Sequence, residues 1–136
     1  MSTRDRHHSE LPIPNGWFAV AFSKDLLPGE VRRIQYFGEE LVLFRTRSGQ
    51  PRVLDAHCAH LGAHLAEGGR VVGENLACPF HAWQYDGTGG CVEIPYCTKI
   101  PALARVRGWE VVERNQLVFV WHHAEGKPPD WQVNEI

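Results

Sequence analysis

Residues 55–83 read "DAHCAHLGAHLAEGGRVVGENLACPFHAW" and hold two of the chain's four cysteines and four of its eight histidines. Cys58-Ala59-His60 comes first, seventeen residues intervene, and Cys78-Pro79-Phe80-His81 follows. Both pairs sit in turn-rich segments flanked by strand-forming runs, which predicts two β-loops with a sulfur and a nitrogen donor near each tip. Thiolate and imidazole are both good ligands for iron and zinc.

Outward from these loops the pattern is all-β. The runs 17–23, 31–37, 40–46 and 52–56 are short and rich in Val, Ile, Leu and aromatics. Turn signals separate them at Pro28-Gly29, Gly38-Glu39 and Ser48-Gly49-Gln50-Pro51. Further strands are expected at 75–79, 83–86, 91–94, 109–113 and 116–122, with turns at 86–90 and Arg114-Asn115. No stretch keeps a capped helical period for three turns, and the only short helix expected lies around 23–27. Strands joined by tight turns pair antiparallel, because parallel pairs need a long crossover. Residues 1–10 are polar and expected to be disordered, residues 11–123 form one domain, and residues 124–136 read as a linker or tail.

A chain of 136 residues can bury roughly two-thirds of its unfolded surface, enough for a core without disulfide staples. No apolar run approaches the ~20 residues of a membrane span, and the start "MSTRDRHHSE" has no apolar core after it. Sparse cysteine and the lack of a signal lead to the expectation of a reducing, cytoplasmic setting. Fourteen basic against sixteen acidic residues argue against nucleic-acid binding, which depends on clustered Lys and Arg.

A Cys-x-His loop does not close on one tetrahedral ion as readily as Cys-x-x-Cys. It can give sulfur to one metal and nitrogen to its neighbour. If both loops do so, one iron collects two thiolates and the other two imidazoles, the arrangement of a Rieske [2Fe–2S] centre. On "CAH" (58–60), "CPFHAW" (78–83) and "YDGTGG" (85–90) the sequence resembles the Rieske family. With "NGWFAVAFSKDL" (15–26), it resembles more narrowly the N-terminal domains of Rieske non-haem iron oxygenases. The segment 93–121 looks most like the group of ketosteroid hydroxylases and cholesterol desaturases. The resemblance implies a Rieske-type fold of antiparallel sheets with two cluster-binding loops at one end. It implies Cys58, His60, Cys78 and His81 as metal ligands, with the thiolates inward and the imidazoles toward the partner. Trp83, beside the second loop, is expected to cover the cluster or to pack in the core. Ala63 and Phe80 stand where respiratory Rieske proteins resemble one another in an extra cysteine, so their disulfide clamp is missing here. Trp83 replaces a serine donor of that type, and Tyr85 keeps a second hydroxyl position. Fewer donors imply a potential in the lower part of the Rieske range of about −150 to +300 mV.

The resemblance further implies one-electron transfer from a ferredoxin or flavin-dependent reductase to a mononuclear iron in an oxygenase catalytic domain, in the full-length context as a homotrimer. The two-histidine, one-carboxylate site that would hold that iron is not in this sequence. Two readings remain, the Rieske domain of a longer oxygenase and a freestanding Rieske ferredoxin. A structural zinc module is a remote third, against which the one-residue gap in Cys58-x-His60 counts. Outside the loops, His57 and His64 read as hydrogen-bonding or exposed. His7-His8 and His122-His123 read as solvated, and Cys91 and Cys97 as small buried or half-buried thiols. Arg32, Arg33, Arg45, Arg47 and Arg52 could line a basic stripe for an acidic donor, though exposed strand charges are usually only solvated.

Overall fold

The structure is a computed structural model describing residues 13–59, 62–79, 82–95 and 99–136. Residues 1–10, with His7 and His8, lie outside it, as do His60, His81 and Cys97. The first half of the chain forms β1 (Gly16–Phe22), a single 3-10 turn (Ser23–Asp25), β2 (Val31–Tyr36), β3 (Glu39–Arg45) and β4 (Pro51–Asp55). Then come β5 (Arg70–Val72), β6 (Asn75–Ala77), β7 (Gln84–Tyr85) and β8 (Cys91–Glu93). The last are β9 (Gly108–Trp109), β10 (Val111–Arg114) and β11 (Leu117–His122). All ladders are antiparallel, in sheets of order β1-β11-β10, β2-β3-β4-β9 and β5-β6-β7-β8.

The all-β expectation therefore holds, with two corrections. The run 109–113 is not one strand. Trp109 pairs with Val53 of β4 while Val111 pairs with Val120 of β11, so the chain changes sheets at Glu110. β5 was not anticipated, because its three residues are bracketed by Gly69 and Gly73 and carry too little pattern.

The β2-β3-β4-β9 sheet is the middle layer, and its residues explain why. Successive side chains of a strand point to opposite faces. On β3, Leu41 and Leu43 join a core with Val53, Trp109, Val118 and Val120, while Val42 and Phe44 join a second core with Leu54, Leu65, Leu76 and Tyr85. A strand buried on both faces reads as the unbroken apolar run "LVLF" rather than an alternation. Complete burial of a side chain such as Phe44 or Leu54 stabilises by about 1.5–3 kcal/mol. The second core contains Cys58 and Cys78 as members, so one face of the middle sheet is the floor of both predicted loops.

Polar fastenings hold the layers. Arg45 is buried, and its guanidinium donates to both oxygens of Glu113 (3.0 and 2.8 Å) and to the carbonyls of Leu26, Gly49 and Ser23. It joins the middle sheet to β10 and is not part of a surface stripe. Arg32 pairs with Glu30, Arg33 with Glu40 and Glu67, and the guanidinium of Arg47 lies against Gly29. Beyond β11 the chain returns to the sheet: Trp131 accepts from Trp17 Nε1 through its carbonyl (2.8 Å) and meets Trp121 edge-on. Asn115 bonds both Asn134 and Ile136. His122, read as solvated, instead stacks on Phe37 at 4.6 Å.

Candidate metal centre

The two loops are closed in the same way. In the first, Cys58 N–H donates to Ala63 O (2.8 Å) and Gly62 N–H to Cys58 O (2.9 Å). In the second, Cys78 N–H donates to Trp83 O (2.7 Å) and Ala82 N–H to Cys78 O (3.1 Å). Each is a six-residue loop whose fifth residue is left-handed, Gly62 at φ 76° and Ala82 at φ 57°. Glycine takes that conformation freely, whereas a side chain there costs about 1–2 kcal/mol. Below the loops the ladders also correspond: Leu65 N–H donates to Ala56 O and His57 bridges His64, as Leu76 faces Tyr85 and Ala77 faces Gln84. Cys58 and Cys78 thus occupy the same position in two copies of one loop. The sequence places His60 third in its loop and His81 fourth, and both lie outside the described residues.

Both thiols are 3% exposed and share one apolar cluster. From β7, Tyr85 crosses to the other loop: its hydroxyl accepts from Ala59 N–H (3.0 Å) and lies 3.1 Å from Cys58 Sγ, to which it is the donor once that sulfur is a thiolate. Burial, then the hydrogen bond to Cys58, raises the phenol's pKa above its ordinary value, so the hydroxyl stays protonated and remains a donor. Trp83 is half-buried and packs against the same cluster. Cys91 is half-buried, and burial raises its thiol pKa, which favours an inert S–H.

This donor set fits a metal centre. Two buried thiols belong to one apolar cluster, where thiolates would need a cation to offset the loss of hydration. A protonated hydroxyl is aimed at one of them. The sequence pointed to both cysteines, to Trp83 and to the Tyr85 position. It did not reveal Glu40, which bonds His64, nor that Arg33, read there as a possible member of a basic stripe, bonds Glu40 and Glu67 beside the first loop. Their signal was lost in the polar start of a strand run.

Paired Cys/His loops over an antiparallel scaffold define an iron–sulfur electron-transfer domain. Residues 16–125 match the Rieske [2Fe–2S] domain model, and the chain belongs to that family, whose cofactor is the Rieske [2Fe–2S] cluster. It is 46% identical over 124 residues to a cholesterol 7-desaturase of Ciona intestinalis, covering 91% of this chain and 26% of that protein. It is 41% identical over 118 residues to the oxygenase component of a 3-ketosteroid-9-alpha-monooxygenase of Rhodococcus rhodochrous, covering 87% and 30%. The oxygenase–ferredoxin complex of carbazole 1,9a-dioxygenase is similar in fold, with a TM-score of 0.68 and 26% identity over 79% of this chain and 28% of that one. The chain therefore spans less than a third of the length of these relatives. Among the described residues, no helix is long and apolar enough to cross a membrane.

Proposed function

We propose that this chain is the electron-entry domain of a Rieske non-haem iron oxygenase, with Cys58, His60, Cys78 and His81 as the cluster ligands. The observation that carries this reading is the pair of identically closed loops, which bring two buried sulfurs into one apolar cluster. When bound there, a [2Fe–2S] cluster supplies a one-electron couple between the electron donor and an oxygen-activating iron. The chain's own residues do the rest. Cys58 and Cys78 hold the inner side, the core beneath them excludes water, and the Tyr85 hydroxyl stabilises negative charge on the Cys58 sulfur. His60 and His81 are assigned to the outer side from their places in the sequence. Trp83 shields the second loop.

The donor in this proposal is a ferredoxin or flavin-dependent reductase, and the acceptor is a mononuclear iron in a catalytic domain outside these residues. Similarity to an oxygenase component and to the oxygenase of carbazole 1,9a-dioxygenase supports the oxygenase context. Two steroid-acting relatives favour a steroid as the substrate of the whole protein. A homotrimeric assembly and a cytoplasmic location belong to the same proposal. Replacing Cys78→Ser tests the ligand set: iron and acid-labile sulfide should fall together while the β-sheet circular dichroism remains. Cluster content equal to wild type in that variant would overturn the assignment. In a companion test, His81→Cys should keep some iron and lower the midpoint potential, since a thiolate carries charge that imidazole lacks.

A further inference from the structure

The two loops share their closure but not their support. The return limb of the second loop is β7, which pairs with β6 on one side and β8 on the other. The return limb of the first loop, residues 63–66, pairs on one side with residues 56–58 through the isolated bridge between His57 and His64 and the bonds at Ala63 and Leu65, and among the described residues no strand flanks its other side. Leu65 anchors that limb into the core. His64, next to it, is held by one backbone and one side-chain hydrogen bond.

Ala66 N–H donates to His64 Nδ1 (3.1 Å), which leaves the proton of the neutral ring on Nε2, facing Glu40 Oε1 at 3.3 Å. The same Glu40 oxygen accepts from Arg33 Nε (3.0 Å), and Arg33 Nη1 continues to Glu67 Oε2 (3.1 Å). The His64 side chain is 10% exposed, so its two bonds are sheltered from competing water. Arg33 lies on β2 and Glu40 on β3, hydrogen-bonded neighbours in the middle sheet. Both ends of the 64–67 turn are therefore tied to that sheet.

We infer that Glu40, acting through His64 and braced by Arg33, is a positioning residue that holds the first loop in register and so fixes the Cys58 sulfur. Ala63, the residue before His64, accepts the hydrogen bond from Cys58 N–H that closes the loop. A shift of His64 is thereby passed to the sulfur through one backbone contact. The side-chain tie takes the place of the strand that flanks the second loop. A loop held less firmly samples more sulfur positions, which spreads the electronic environment of whatever the sulfur binds.

This inference rests on the proposed ligand set, and one experiment separates the two. Wild type, Glu40→Ala and Glu40→Gln are prepared with their cluster. Iron loss to a chelator, midpoint potential and the width of the EPR lines of the reduced protein are then compared. Glu40→Ala should lose iron roughly tenfold faster, shift the midpoint and broaden the lines. Glu40→Gln keeps an oxygen to accept from His64 and should restore most of all three. If Glu40→Ala does not fold, Arg33→Gln, at a half-exposed site, should change the same three readouts in the same direction. Variants that fold and match wild type in all three would overturn the positioning role. Wild-type protein that takes up no iron would instead overturn the ligand assignment beneath it.

Discussion

Tyr85 shows how much one side chain can carry. It belongs to the return strand of the second loop, yet its hydroxyl reaches the sulfur of the first and is itself bonded by Ala59 N–H. Hydrogen bonds to a thiolate favour the more negative, reduced state of the centre it serves. Tyr85→Phe should therefore lower the midpoint by on the order of 60 mV, the one-electron equivalent of a tenfold change, as read by potentiometric titration. An unchanged midpoint would remove the hydroxyl from the account. Ala82 offers a second test at this scale. Its left-handed backbone is that of Gly62 in the matching loop, so Ala82→Gly should raise unfolding stability by up to about 1 kcal/mol in urea titrations. That Cys58 and Cys78 sit in two β-loops was legible in the sequence, because turn residues and strand-forming runs bracket both. The strain at Ala82 was not, since nothing in "CPFHAW" distinguishes a left-handed alanine from an ordinary one.

At the scale of elements, sheets are joined by features with weak sequence signals. The β7–β8 turn passes so close to the residues before β9 that a Cβ on Gly89 would lie 2.0 Å from Val106 O. Gly89 also has φ 91°, so Gly89→Ala meets both a backbone overlap and an unfavourable conformation. It should prevent recovery of soluble, folded protein, as judged by size-exclusion chromatography and circular dichroism. "YDGTGG" identified a turn but gave no hint of what crosses it. Arg45 gives the opposite lesson: in sequence it looked like one of five exposed strand charges, and in space its guanidinium joins two layers. Arg45→Met would take the guanidinium away from the Glu113 carboxylate and from the carbonyls of Leu26 and Gly49, while the Ser23 carbonyl keeps Leu26 N–H. A loss of about 3 kcal/mol in chemical denaturation is expected. Sequence periodicity shows which face of a strand is apolar. It does not show which distant carboxylate meets an arginine, nor that a run such as 109–113 changes sheets at Glu110.

For the whole molecule, three layers and two cores divide the work, and β3 serves both with alternate residues. That division was partly legible, because "LVLF" is too continuous for a half-exposed strand, but its partners on each face were not. Carboxylates fasten strands within a layer and one layer to the next. Arg45 holds Glu113, Arg33 holds Glu40, and Ser48 holds Glu74, each below its ordinary value of 4.5. A depressed carboxylate contributes fully above its unfolded value and loses that contribution as the pH falls through the folded one. Urea midpoints should therefore be steady near neutrality and decline once the pH drops below 4.5. A midpoint that rises on acidification would contradict these ties. The central claim, that two β-loops grip a sulfide-bridged pair of irons, is tested most directly by EPR of the dithionite-reduced protein together with its iron and sulfide content. Equimolar iron and sulfide and a rhombic signal of mixed nitrogen and sulfur ligation are predicted. Zinc in place of iron, or a reduced protein without that signal, would contradict the claim.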